Sequence, residues 1–393
     1  MTDLPVVRFQ SPQMPPLTAV QRYYSAAEDR RWFSNNGPCL QLLESRMTEL
    51  VGSEARCLGV SNATAALVVA LRHLVPEVAP SRDLVVMPAY TFAATATAAT
   101  WSGLRPLLVD VDPGTWQMDP AALEAVLDTR SAEIAVVMGC STFGTPAPPS
   151  YRRRWSAACR GAGVPLLVDS AAGLGATDVH GGAPGPQGDV EVFSMHATKP
   201  FGIGEGGLIV TTDESRETEL RRLVNFGFDA ARDLPGQPGT NAKMSELHAA
   251  MALAVLDTYP SVLAGRRRRA DRMLSDLEPL GFVRQEGAEG STVQFLSVQA
   301  PSAAARDAVL ASAALNGVEV RAYYDAPLHR LTAYRESERH GTLRTSSALS
   351  SRSVSLPMSN DLSDSDMDRV VAVCRQGVLN AGSRSREVHA GVD

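Results

Sequence analysis

Two patterns alternate through the first half of the chain. Short, continuous apolar runs lie at residues 57–60, 83–88, 105–112, 133–138, 164–168, 190–194 and 208–212. Runs of this length, without polar alternation, predict strands covered on both faces. Between them lie stretches with apolar residues at helical spacing: 40–51, 61–74, the alanine- and threonine-rich segment after Phe92, 119–127, 151–162, 217–223 and 245–256. Strands alternating with helices predict βαβ crossovers and a mainly parallel sheet, the α/β class.

From about Ala270 the rhythm changes. Residues 293–298 alternate like a half-buried strand, 318–321 predict another, and Asp361, Leu362 and Ser363 open a final helix running to about Val373. Four regions are expected: an N-terminal arm and helix over 1–35, a large domain over 36–265, a smaller C-terminal α/β domain over 266–380, and a polar tail over 381–393 without fixed structure. A chain of 393 residues has room for one large and one small domain.

Charge narrows the function classes. The 37 basic and 43 acidic residues leave a net charge of −6, without the basic footprint of a nucleic-acid binder. The one basic cluster, Arg266-Arg267-Arg268-Arg269, continues the helical pattern of Leu253, Leu256 and Leu263 and reads as a solvated helix face. The five cysteines are scattered without CxxC spacing. Neither a disulfide framework nor a metal site is expected, and a reducing cytoplasm fits. No leader pattern and no run long enough to span a bilayer is seen, so no membrane partner is expected.

Ligands of parallel sheets gather at the carboxyl ends of the strands. Asp169 ends the run at 164–168. Asn62, Ala63 and Thr64 follow the run at 57–60 and open a helix, whose free N–H groups and dipole favour a phosphate. A plain N-cap at Ser61 or Asn62 is the alternative reading. Phe92 follows the run at 83–88, placed either to stack on a flat ring or to fill the core. Lys199 sits between Ser194 and a turn holding Gly202, Gly204, Gly206 and Gly207. A lysine held in a desolvated turn loses proton affinity, and its amine is freed to attack a carbonyl. Lysine and aspartate together are what pyridoxal 5′-phosphate requires. The amine binds it covalently, and the carboxylate keeps its ring nitrogen protonated.

Ser61-Asn62-Ala63-Thr64, Pro88-Ala89-Tyr90-Thr91-Phe92, Asp169, Ser194-Met195-His196-Ala197-Thr198-Lys199, Gly204-Glu205-Gly206-Gly207 and Asn241-Ala242-Lys243-Met244-Ser245-Glu246 occur in this order. The series resembles the nucleotide-sugar aminotransferase family of DegT/DnrJ/StrS type, over nearly the whole chain from about Phe33. The resemblance implies a fold-type-I enzyme of the aspartate aminotransferase superfamily, three-layered around a mainly parallel sheet. It implies pyridoxal 5′-phosphate on Lys199, Asp169 at the ring nitrogen, Phe92 stacked on the ring, and Ala63, Thr64 and Ser194 at the phosphate. Asn241 would reach the cofactor phosphate of the partner subunit, giving a homodimer with shared sites. Phe33, Ser34, Tyr323 and His329 would lie on the substrate side, the last two in a segment that also holds Tyr324 and Pro327-Leu328. The implied reaction aminates a keto-sugar, an NDP-4-keto- or 3-keto-6-deoxyhexose, with glutamate as donor. His196, Thr198 and Glu205 match the pattern without an assigned role.

Two positions depart from it. Ala172 stands where the family commonly has a glutamine near the cofactor's 3-hydroxyl. Lys243 stands where it has an arginine, and so loses the forked geometry. Three alternatives stay open. One is a relative acting on a cyclitol or an aminobenzoate-pathway ketone, and another a non-catalytic binding protein of the same fold. The third is a dinucleotide-binding oxidoreductase, against which the absence of GxGxxG after the first strands argues. Family dehydratases replace the lysine with histidine, and Lys199 argues against that reading.

Overall fold

Each short apolar run becomes a strand, and each periodic stretch a helix against the sheet. The computed structural model describes residues 5–178 and 181–390. After α1 (Leu17–Arg30) and α2 (Pro38–Val51), the chain alternates β1 (Arg56–Val60), α3 (Ala63–Leu74), β2 (Leu84–Pro88), α4 (Ala93–Trp101), β3 (Arg105–Val109), α5 (Pro120–Arg130), β4 (Ile134–Cys140), α6 (Pro149–Ala162) and β5 (Leu166–Asp169). Then come β6 (Val190–Ser194), β7 (Gly207–Thr211), α7 (Glu214–Val224), α8 (Glu246–Leu256) and α9 (Tyr259–Leu277). The remainder supplies β8 (Val283–Arg284), β9 (Leu296–Gln299), α10 (Ala303–Leu315), β10 (Glu338–Arg339), α11 (Arg344–Arg352), β11 (Ser353–Leu356) and α12 (Asp364–Ala390).

The eight-stranded sheet has the order β1-β7-β6-β5-β4-β2-β3-β10. It is parallel from β6 to β10, and antiparallel where β7 meets β6 and β1. The glycine-rich turn after β6 returns the chain directly, without a crossover helix, so β7 must run the other way. Strands β2, β4, β5, β6 and β7 are buried throughout, as a sheet with helices on both faces requires. Side chains start the helices: Asn62 Oδ1 accepts from Ala65 N at 2.8 Å, Asp213 Oδ1 from Arg216 N at 2.8 Å, and Ser245 Oγ from His248 N at 3.3 Å.

A second sheet, β11-β9-β8, packs with α9, α10 and α12 around a separate core. Val7 and Phe9 of the N-terminal arm belong to this core, and Val7 N donates to Gly317 O at 2.9 Å. The expected boundary at 265/266 falls inside α9, which runs unbroken between the two cores.

Four expectations are corrected. Residues 318–321 form no strand; Val318 and Arg321 make only isolated bridges to Val7 and Ser355. The strand expected at 293–298 starts at Leu296, because Val293 takes a left-handed φ of 53° that breaks the extended run. Arg266 is no solvated residue: it is 7% exposed, and its guanidinium donates to Val293 O at 2.9 Å and Asn360 Oδ1 at 2.8 Å. Periodicity read four arginines as one face, but the helix turns Arg267 to Ser291 O and Gly290 O and Arg269 to Leu362 O, and leaves Arg268 exposed. Finally, α12 continues to Ala390, into the segment expected to lack structure; residues 391–393 lie outside the described residues.

Gly207 joins the sheet to the start of α3. A Cβ there would lie 2.8 Å from the Ala63 nitrogen and the Asn62 carbonyl carbon, both backbone atoms that cannot swing away. Gly207→Val is expected to cost ~1–3 kcal/mol, read as a lower urea midpoint with unchanged slope.

Candidate active site

Asp169 closes β5, where the strand's carboxyl end meets α4. It is 4% exposed. Thr95 Oγ1 donates to its Oδ2 at 2.7 Å, and Ala171 N to its Oδ1 at 3.1 Å. Thr91, one helical turn before Thr95, lies 3.1 Å from the Thr95 hydroxyl. Burial pushes the Asp169 carboxyl above its ordinary value, while these two bonds and the charge of Lys199 pull the other way. On the opposite face, Ser170 donates to buried Glu191, which also accepts from Gln187 N at 2.9 Å and Gln187 Nε2 at 3.0 Å. This brace ties β5 to β6 directly behind Asp169. Burial pushes Glu191 up to about 7.

Lys199 lies in the turn between β6 and β7. His196 O accepts from Lys199 N at 2.8 Å, and Ala197 N donates to Gly204 O at 2.8 Å, so the turn is closed by its own backbone. Gly204 carries a φ of +96°, a conformation other residues resist. Burial lowers the proton affinity of the Lys199 amine, with Asp169 and Cys140 opposing. Nζ donates to Gln294 Oε1 at 3.1 Å. An amine with lowered proton affinity beside a buried carboxylate can act as a nucleophile and as a proton carrier.

Ala63 and Thr64 are the first residues of α3, behind Gly207. Asn62 is the N-cap, as the plain alternative held; its oxygen satisfies Ala65 N and not the two N–H groups before it. Ser194 is buried at the end of β6, and its oxygen accepts from His196 N at 3.2 Å, leaving the hydroxyl hydrogen able to donate elsewhere. Phe92 is the residue before α4 and is 60% exposed. It is not a core phenylalanine.

The remaining expected residues fall into other groups. Phe33 O accepts from Glu246 N at 3.2 Å, and Asn225 bridges Asn241, so Phe33, Ser34, Asn241 and Lys243 belong to the neighbourhood of α8. Lys243 Nζ donates to Asn225 Oδ1 at 3.0 Å and stands 4.6 Å from the Phe226 ring centroid. A cleft of about 450 Å³ lined by Asn35, Asn36, Asn225, Phe228 and Lys243 opens here. Phe33, Phe92, Phe226 and Phe228 all expose ring surface. A cleft of about 900 Å³ along α6, between Arg152 and Arg216, holds none of the candidate residues. His329 sits buried in a short turn, its Nε2 3.1 Å from Ser347 Oγ. Tyr323 packs on Phe9 and Phe295.

Two residues at the site, Thr95 and Gln294, were not anticipated; Tyr324 belongs to the expected substrate-side segment. Thr95 holds Asp169, and its spacing of four from Thr91 was a readable signal. Tyr324 stacks on Phe143 at 5.1 Å between centroids and lies 6.3 Å from Phe92. Burial, then Cys140, Tyr90 and Asp169, push its hydroxyl well above the ordinary value. Gln294 reaches Lys199 from the second core, and nothing local in its sequence marks it.

The pattern of the DegT/DnrJ/EryC1/StrS aminotransferase family matches residues 18–375. Protein Rv3402c of Mycobacterium tuberculosis is 31% identical over 379 residues, covering 95% of this chain and 91% of that protein. A dTDP-4-amino-4,6-dideoxy-D-glucose transaminase of Shigella dysenteriae is 28% identical over 375 residues, 93% of this chain and 97% of its own length. The crystal structure of DesI in the presence of its TDP-sugar product matches with a TM-score of 0.84 at 34% identity, over 99% of this chain and 95% of DesI. With this fold and these relatives, the chain belongs to the DegT/DnrJ/EryC1/StrS family and is a pyridoxal-phosphate-dependent aminotransferase of fold type I.

Proposed function

We propose that the protein aminates a nucleotide-linked keto-sugar, an NDP-4-keto- or 3-keto-6-deoxyhexose, with glutamate as amino donor. The observation that carries this is the meeting of Lys199 and Asp169 at the carboxyl end of the sheet, in a chain that matches DesI over nearly all its length.

The residues fit the cofactor. Asp169 is a deeply buried carboxylate, suited to a protonated ring nitrogen. The start of α3 offers the N–H groups of Ala63 and Thr64, with Ser194 as a further donor, suited to a phosphate. Phe92 offers an open ring face. Pyridoxal phosphate, when bound, supplies a sink for the electrons of a broken C–H bond. Lys199 would hold it and, once freed, its Nζ would take the proton from the donor's α-carbon; in the second half-reaction Nζ would return a proton to the sugar carbon. Asp169 would keep its negative charge for the ring nitrogen throughout.

Phe33, Ser34, Tyr323 and His329 are assigned to the substrate side. Asn241 is assigned to the cofactor phosphate of a partner subunit. The exposed rings of Phe33, Phe226 and Phe228, near the cleft between α2 and α7, support a homodimer with shared sites. Among the described residues no single helix is long and apolar enough to cross a membrane, and we assign the protein to the cytoplasm.

Initial rates with glutamate and a panel of dTDP-, UDP- and GDP-linked keto-6-deoxyhexoses test the proposal. Parallel double-reciprocal lines are expected, since both half-reactions share one site. Intersecting lines would sink the scheme. Turnover of a keto-cyclitol with no nucleotide sugar accepted would replace the substrate.

A further inference from the structure

We infer that Gln294 is a positioning residue for Lys199, its carboxamide oxygen holding Nζ whenever the lysine amine is free. The inference rests on the proposed use of Lys199. Its geometry is set from both ends of the amide. Lys199 Nζ donates to Gln294 Oε1 at 3.1 Å, while Gln294 Nε2 donates to Thr198 O at 3.3 Å, on the peptide immediately before the lysine. The second bond fixes which end of the amide faces the amine. Gln10 Nε2 also donates to Thr198 O, at 3.3 Å. Gln294 is 7% exposed, and water does not compete freely for it.

The segment that carries Gln294 is pinned along its length. Arg266 donates to Val293 O at 2.9 Å and Gln294 O at 3.3 Å. Arg267 donates to Gly290 O and Ser291 O, each at 3.0 Å. Thr292 Oγ1 donates to Ala172 O at 2.6 Å, three residues past Asp169. Val293, β-branched, is held at a φ of 53°, which ordinary loop sequences avoid. Over-determination of this kind is how a strained backbone persists, and it gathers where a side chain must be placed accurately.

The residue type suits the task. An amide oxygen orients an amine without a counter-charge, whereas a carboxylate would trap it as ammonium. The ionisable groups facing Nζ are Asp169 from β5 and Cys140 from the end of β4. His196 lies on the same turn, turned to Thr198 at 2.9 Å, and the Arg266 guanidinium lies behind the segment on its carbonyls.

The chain contains two lysines, Lys199 and Lys243, so each can be followed separately. The full-length protein, once loaded with pyridoxamine 5′-phosphate, which leaves Lys199 uncombined, and once without cofactor, is labelled with trace acetic anhydride from pH 6 to 10. Peptide mass spectrometry then gives the labelling curve of each amine. Gln294→Glu is expected to move the Lys199 midpoint up by at least one pH unit, roughly a tenfold loss of labelling at pH 8. Gln294→Ala is expected to move it down, with labelling increased. Lys243 keeps its curve in every variant. In turnover, kcat falls and KM for glutamate stays. Gln294→Glu preserves side-chain length and carries the test if Gln294→Ala does not fold. Unchanged Lys199 curves in a folded Gln294→Glu protein overturn the inference. Failure of the underlying reading is seen separately, as a wild-type protein that forms no covalent adduct with pyridoxal phosphate at Lys199.

Discussion

Lys199→Ala is expected to abolish amino transfer, lowering kcat by on the order of 10⁴-fold or more, as removal of a nucleophile that works as part of a unit does. The loss should not come from unfolding. The turn is closed by backbone bonds from Lys199 N and Ala197 N, which alanine keeps. The side chain removed makes one hydrogen bond, to Gln294, and losing a desolvated cation removes a cost as well as a contact. Asp169 loses its opposing charge and takes up a proton more readily. Lys199→Arg separates the two roles: it keeps a cation beside Asp169 but no amine that can attack or carry the proton, and should be as inactive as alanine. Single-turnover assays with glutamate, with the visible band of bound cofactor as a second signal, check this. A variant retaining a tenth of wild-type kcat would remove Lys199 from the mechanism.

Asp169→Asn is expected to lower kcat by ~10²–10³-fold, the range found when one preorganised electrostatic partner is removed. Asparagine keeps the Ala171 N–H bond on its oxygen, while its Nδ2 donates to the Thr95 hydroxyl, which turns its own proton to Thr91 Oγ1, so the site keeps its shape and loses its charge. A second signature follows from linkage. Burial raises the Asp169 pKa above the unfolded value of 3.8. The folded cofactor-free protein therefore binds this proton more tightly than the unfolded chain, and Asp169 withdraws stability as pH rises from 3.8 through its raised value. Asparagine cannot titrate. The cofactor-free variant should show a flatter fall of urea midpoint with rising pH over that window, together with its lower kcat. Wild-type kcat, or an unchanged pH slope, would place Asp169 outside the role proposed.

Much of this was readable beforehand because the information was local. The apolar runs at 83–88 and 190–194 needed only their burial on two faces to predict β2 and β6. Lys199 and Asp169 could be singled out because a strand end and a glycine turn are features of adjacent residues. Thr95 was within reach, since it follows Thr91 by one helical turn. Misreadings arose where the decisive partner is distant in sequence. Arg266 looked solvated because its partners, Val293 and Asn360, lie on other segments. Residues 318–321 have strand-like composition, but the edge available there accepts only isolated bridges.

By itself, the sequence determined the α/β class, the order of strands and helices in the large domain, and the lysine and aspartate to which the proposed chemistry is assigned. These follow from side-chain periodicity and turn-forming residues, which act over a few positions. Only the tertiary structure decided how the two are set. It buried Asp169 against Thr95, exposed the ring of Phe92, stacked Tyr324 on Phe143, and brought Gln294 from the second core onto Lys199. Desolvation and hydrogen-bond geometry depend on every chain segment that closes around a group, and no window of neighbouring residues contains them.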